Sequence, residues 1–282
     1  MKKLFMTIFI LLIFLSCSFQ KAAFILDNPT DTAIKTKVDG KEYNLGAGEY
    51  EKLVLKPGKH TLTDTDGKEF SFIVYADSNG GVINPSRNNY IYVRMAYAVE
   101  GAGDSFRPAG EDVVLDGLKY EGPFGMTNDL IIDKNLRNWK YDIHIPFPET
   151  IYTSDKNSKG NIFTKIFTQK EFLDFMTEMG VQGIPADKDE MKKTPEVSAA
   201  PEYKVPPFKN PDVKKYAEEM VALDRVYATA EKAGEQKKIM SEYKKAWKNY
   251  VQASMKDNSD LELLNELKFN NLGRGVLVTE QN

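Results

Sequence analysis

The chain is poor in the side chains that do most protein chemistry. It has one cysteine and two histidines in 282 residues, which excludes a disulfide framework and leaves little material for thiol, zinc or imidazole chemistry. It has no long basic run. Lys and Arg number 38 against 41 Asp and Glu, the formal net charge is −3 and the pI is near 5.7, which argues against a dedicated nucleic-acid binder. Its longest apolar run falls short of the about 20 residues that a bilayer-spanning helix needs. The 19 glycines and 13 prolines are too few for a collagen-like or generally disordered chain. What remains is an ordinary globular composition, 41 % apolar, long enough to bury a sizeable core and to form about two domains.

The informative stretch is the start. Met1-Lys2-Lys3 is basic, Leu4 to Leu15 is apolar except for Thr7, and Ser16-Cys17 follows. A short basic region, a short apolar region and a small residue describe a secretory signal peptide. The ending in Ser16-Cys17 resembles the lipobox of bacterial lipoproteins. That resemblance implies a diacylglycerol on the Cys17 thiol, cleavage before it, and acylation of the new amino terminus. Cys17 is the one cysteine of the chain, as a lipid-attachment residue predicts. Two other readings of the same residues are an ordinary secretory cut after Ser18 and an uncleaved anchor. By the enteric pattern, Ser18 after the lipidated Cys implies the outer membrane, facing the periplasm; the inner membrane and the cell surface are the alternatives. Ser18 to Ala22 is the tether, with a reach of at most about 17 Å.

From Ala23 to Tyr97 the chain reads as short strands separated by turn signals. Asp39-Gly40 and Asp66-Gly67 are hairpin turns. Pro57-Gly58 and Asn79-Gly80-Gly81 break the chain between further apolar runs. This spacing predicts an antiparallel β-sandwich-like region. The hairpin Leu55 to Leu62, with Pro57-Gly58 before His60, faintly resembles PEGA-type envelope β-modules. Residues 98–180 read as a second β-rich portion. Its expected strands are Val113 to Tyr120, Leu130 to Asp133, Trp139 to Ile145, Ile151 to Thr153 and Ile162 to Phe167. It ends in a helix opened by a Thr168/Glu171 capping box and stopped at Gly180.

Residues 181–209 read as a Pro-rich linker or arm, with protease expected to cut first between Asp187 and Lys204. From Asn210-Pro211 a helix is expected as far as Gly234, then a second helix with a stripe from Ile239 to Ser254. A third, short helix is capped by Ser259 and Glu262. The expected class is therefore α+β. Residues 1–16 are the leader and 17–22 the lipidated tether. Then come the sandwich-like region (23–97), the β-rich portion (98–180), the arm (181–209) and a helical region (210–282) holding a hairpin plus a short helix.

Several constellations carry possible chemistry. Gly103-Asp104-Ser105, Asn128-Asp129 and the pair Asp142/His144 superficially resemble the blocks of SGNH hydrolases. Four such residues within so short a stretch are too compressed for that fold, and the imidazole must reach the serine within about 3 Å. Asp64-Thr65-Asp66-Gly67 resembles part of a calcium loop but lacks a first ligand at Leu62 and a bidentate Glu. It reads better as a hairpin turn. His60 and His144 lack spaced partners for a metal site. Tyr90, Tyr92, Tyr97, Trp139 and Tyr141 suit cross-strand packing better than a sugar or peptide surface. Lys237-Lys238 and Lys244-Lys245 alternate with Glu235 and Glu242, as on a solvated helix face.

The expectation from sequence is a lipid-anchored envelope protein, attached through Cys17, with a non-catalytic binding or scaffolding role and a protein partner. It has no catalytic residue, metal, cofactor or nucleic acid. A lipid-anchored periplasmic inhibitor or immunity protein and an SGNH-like hydrolase using Ser105 are the alternatives.

Overall fold

A computed structural model describes residues 21–100, 108–151, 159–192, 204–256, 263 and 273–281. Cys17, Ser105, the centre of the Pro-rich arm and most of the stretch expected to form the third helix lie outside them.

The fold is α+β. Eight strands come first: β1 (Ala22–Asp27), β2 (Ile34–Val38), β3 (Lys41–Leu45), β4 (Tyr50–Leu55), β5 (Gly58–Thr63), β6 (Glu69–Val74), β7 (Gly81–Ile83) and β8 (Tyr90–Ala98). The turn signals placed them. Asp39 and Gly40 both take positive φ, 50° and 76°, and make the tight turn between β2 and β3. Next are β9 (Glu111–Leu115), β10 (Leu118–Thr127), β11 (Ile131–Asp133), the short helix α1 (Lys134–Arg137), β12 (Gly160–Thr168), helix α2 (Gln169–Glu178) and β13 (Ile184–Pro185). A 3-10 turn at Glu190–Lys192 precedes helices α3 (Pro211–Ala228) and α4 (Ala233–Ser254), and strand β14 (Val276–Gln281) comes last.

The strands make three sheets, ordered β11-β7-β1-β4, β14-β6-β5-β2-β3 and β12-β8-β10-β13, with β9 beside β10 in the third. One ladder, β1 with β7, is parallel; the others are antiparallel. Side-chain alternation stacks these sheets. Phe24, Leu26, Leu53, Leu55 and Ile83 of the first sheet meet Val38, Leu62, Phe70, Phe72 and Val74 of the second in one core, which is the sandwich. The opposite face of the first sheet, Ile25, Val82 and Ile132, packs on Tyr90, Tyr92 and Ile166 of the third. The far face of the third sheet, Ile91, Val93 and Phe167, is covered by Phe172 and Met176 of α2. On the outer side of the second sheet, Ile73, Tyr75 and Leu277 meet Tyr227, Ala230 and Ile239 of the α3/α4 hairpin. The period-2 alternation of β1, β6, β8 and β12 thus gives each of these strands two buried faces.

Helix boundaries follow their caps. Thr168 Oγ1 accepts from Glu171 N and the Glu171 carboxylate accepts from Thr168 N, a complete capping box. Asn210 caps α3 through Asp212 N and Val213 N, with Pro211 in the first turn.

The structure differs from the sequence reading in five places. Val113 to Tyr120 is two strands, because Asp116 and Gly117 (φ 52° and 79°) turn the chain. Trp139 to Ile145 is a loop. Its alternation holds from buried Trp139 to buried Ile143, but Ile145 is 48 % exposed. Asn138 and His144 have positive φ, 47° and 61°, and Tyr141 keeps one isolated bridge, to Lys165. The first long helix ends at Ala228, and Gly234 lies in the first turn of α4 instead of at a stop. The arm begins with a paired strand, since Ile184 and Pro185 add to β10 and Glu190 sits 2.9 Å from Lys119 Nζ. The region expected to be helical ends in β14, an edge strand on β6.

Candidate functional site

Two features of the described residues are candidates: a buried charged cluster between the layers, and a cleft at one end of the sandwich.

The cluster is centred on Asp27, the last residue of β1, which is wholly buried. Its Oδ2 accepts from the Tyr90 hydroxyl at 2.7 Å, and its Oδ1 lies 3.0 Å from His144 Nε2. The His144 ring stacks on Tyr50 of β4 with centroids 4.5 Å apart and 12° between planes. Its backbone N–H donates to Glu171 Oε1 at 2.6 Å, which pins a left-handed backbone (φ 61°) that is uncommon outside glycine. Lys165 of β12 is almost fully buried. Its ammonium donates to the Asp142 carbonyl at 3.0 Å and the Ile166 carbonyl at 3.2 Å, and lies 3.9 Å from Glu171 Oε1. A lysine and a histidine thus face two carboxylates, the arrangement that makes buried charge tolerable.

The electrostatics follow. The hydrogen bond that His144 donates to Asp27 is the main cause holding the imidazole above its usual range, against burial and Lys165. Burial pulls the Lys165 ammonium down to about 8, against Glu171 and Asp142. Burial, then Asp27, raises the Tyr90 phenol well above its usual value, so it stays a neutral donor.

Asp142 does not orient His144. Its Oδ1 accepts instead from Lys134 Nζ at 2.8 Å and Trp139 Nε1 at 2.6 Å. Asp129 of the Asn128-Asp129 pair lies 3.8 Å from Arg137 Nη2. Ser105 lies outside the described residues. His60 is held between Asp39 Oδ2 at 2.7 Å and the Lys56 carbonyl at 2.8 Å, bracing the β2–β3 turn against β5. In the Asp64 to Gly67 turn, Asp64 Oδ1 accepts from Asp66 N and Lys68 N, so this carboxylate oxygen is spent on the hairpin. Tyr90, Tyr92 and Trp139 are core residues. Tyr97 and Tyr141 pack with Phe147 and Phe163 at 5.5–6.4 Å. Sequence reasoning found His144 but not Asp27, Tyr90's hydroxyl role, Lys165 or Glu171's second role. A lysine between Thr164 and Ile166 on a strand whose neighbours are apolar was the available signal.

The cleft, about 620 Å³, lies between the sandwich loops at the far end of β1 and the outer face of α2. Thr30, Asp31 and Asn88 line one side and Gln169, Leu173 and Asp174 the other. Its surface is mostly apolar, with polar and charged groups from Thr30, Asp31, Asn88, Gln169 and Asp174 among its lining residues. Among the described residues no group of three or more His, Cys, Asp or Glu could hold a metal ion, and no helix is long and apolar enough to cross a membrane.

No family model, no curated protein and no solved structure matches this chain.

Proposed function

We propose that this is a lipid-anchored envelope protein whose role is to bind a partner and not to turn over a substrate. The observation that carries the reading is the place and direction of β1. It begins at Ala22, within about 17 Å of chain from Cys17, and runs away from that end to Asp27. At roughly 3.3 Å per residue, its far end stands about 17–20 Å beyond its start. A lipid on Cys17 would hold the first end of the sandwich at the bilayer and present the cleft at the other. The His144 cluster supports a structural role for its own residues. The ring's Nε2 is engaged by Asp27 and its face by Tyr50, and Lys165 is closed to solvent.

The experiment is crosslinking in native membranes from a photoreactive residue placed at Gln169, in the cleft, or at Lys41, on the edge strand β3. A partner captured from Gln169 and lost in Leu173→Arg supports the reading. Equal capture from both sites, or an esterase activity that disappears in Ser105→Ala, contradicts it.

A further inference from the structure

Gln236, in the first turn of α4, has no exposed surface. Its Nε2 donates to the Ala230 carbonyl at 2.8 Å and the Val74 carbonyl at 3.3 Å. Two carbonyls can only accept, so the amide cannot be flipped. Its Oε1 is then left with no partner among the described residues. An orphaned buried acceptor costs about 1–3 kcal/mol, and folded proteins rarely leave one without a donor.

The same glutamine lines a cavity of about 300 Å³ between the chain just after β6 and one face of α4. That volume is at the low end of small-molecule sites. Asp77 comes from the chain just after β6, Tyr227 from α3, and Gln236, Lys237, Met240, Ser241 and Lys244 from α4. Tyr227 donates to Asp77 Oδ1 at 3.1 Å, and Asp77 Oδ2 has no hydrogen bond among the described residues. Lys244 forms no ion pair among them. The cavity therefore has a carboxylate with an unused oxygen, two lysines on α4, and the orphaned Gln236 acceptor buried behind its lining.

We propose that this cavity binds a small zwitterion, a molecule with a primary ammonium and an anionic group a few bonds away. The ammonium has three donors, one each for Gln236 Oε1, Asp77 Oδ2 and a Tyr227 lone pair. The anionic group meets Lys244 and the Ser241 hydroxyl. A simple cation would leave Lys244 unmatched and a simple anion would face Asp77. A quaternary ammonium has no donor for Gln236. Oε1 is closed to bulk solvent, so entry needs a small side-chain shift, for which the unbranched, partly exposed Met240 is suited. Two sources share this chemistry, a free amino acid and the phosphoethanolamine headgroup of a lipid. The headgroup source fits the place of the cavity, because Gly80, three residues after Asp77, lies against Ala23 at the start of β1. The binding chemistry does not depend on the anchor.

The test is calorimetric titration of the purified full-length protein in a nonionic detergent. The probes are O-phosphoethanolamine and glycine, with phosphocholine, ethanolamine and inorganic phosphate as controls. Saturable binding of at least one zwitterion is expected, with each control at least about tenfold weaker. Asp77→Asn should weaken binding about tenfold and Lys244→Gln about threefold. Both positions are exposed, and near-UV circular dichroism checks that each variant is folded. If Asp77→Asn does not fold, Lys244→Gln carries the test. Phosphoethanolamine alone identifies the headgroup source and glycine alone the amino acid. No saturation by either up to about 10 mM, undiminished binding in the variants, or a lone water on Gln236 Oε1 in crystals soaked with both zwitterions would overturn the proposal.

Discussion

Asp27 and His144 are separated by 117 positions and meet at 3.0 Å. Their contact ties the sandwich to the third sheet and α2, and its strength depends on pH. The folded-state value of His144 is raised above the ordinary 6.5. Its contribution is therefore fully present below about pH 6.5 and is lost as pH rises through the folded value. Replacing the ring by His144→Gln should cost about 1–3 kcal/mol at pH 6, read by urea denaturation. The gap to wild type should narrow as pH increases. A gap that widens with pH would show that Asp27 does not hold an imidazolium. Lys165 acts in the opposite sense, since its folded value is lowered to about 8. Its penalty is relieved only above that pH, so it leaves the window near 6.5 undisturbed. Little of this was legible in the sequence. Asp27 stands before Asn28-Pro29 and reads as the start of a turn. Nothing local tells that its carboxylate is buried, because its partners Tyr90 and His144 come from other elements.

The elements were more legible, and where they were not the cause is range. Turns such as Asp39-Gly40 and caps such as Thr168/Glu171 are written within four residues, and each appears where expected. Strand β14 has no such mark. Val276-Leu277-Val278 is a short apolar run, and its partner β6 lies about 200 residues earlier. What holds it is Asp133, at the end of β11, whose Oδ2 accepts from Gly275 N at 2.8 Å and Val276 N at 3.2 Å. Asp133→Ala should lower stability by about 1–3 kcal/mol and speed amide exchange at Val276 and Leu277 ahead of the rest of the second sheet. Unchanged exchange there would mean that the ladder to β6 alone suffices. Two turn glycines separate strain from crowding. Both have positive φ, but a Cβ on Gly117 meets nothing within 4 Å, whereas one on Gly80 would lie 1.7 Å from the Ala23 carbonyl oxygen. Gly117→Ala is expected to cost about 1 kcal/mol and Gly80→Ala more than about 3 kcal/mol, both measured by thermal unfolding. Equal costs would show that Gly80 is not closely packed on β1.

At the scale of the whole molecule, the layers run from the α3/α4 hairpin through the second, first and third sheets to α2. β1 lies in the central sheet of the stack, and its first residue, Ala22, stands only five positions after Cys17. A pull on the lipid would thus be delivered to the middle of the structure, on a strand bonded to β4 on one side and β7 on the other. Under the proposed role, that mount would hold a bound partner at a fixed height. The account stands on Cys17 being the point of attachment. The direct measurement is the intact mass of the mature amino terminus purified from native membranes, with membrane partition of Cys17→Ala beside it. The account predicts an amino-terminal Cys17 carrying acyl chains, and a variant that leaves the membrane fraction. An unmodified chain beginning after Ser18, or a Cys17→Ala protein that still partitions fully into membranes, would contradict it.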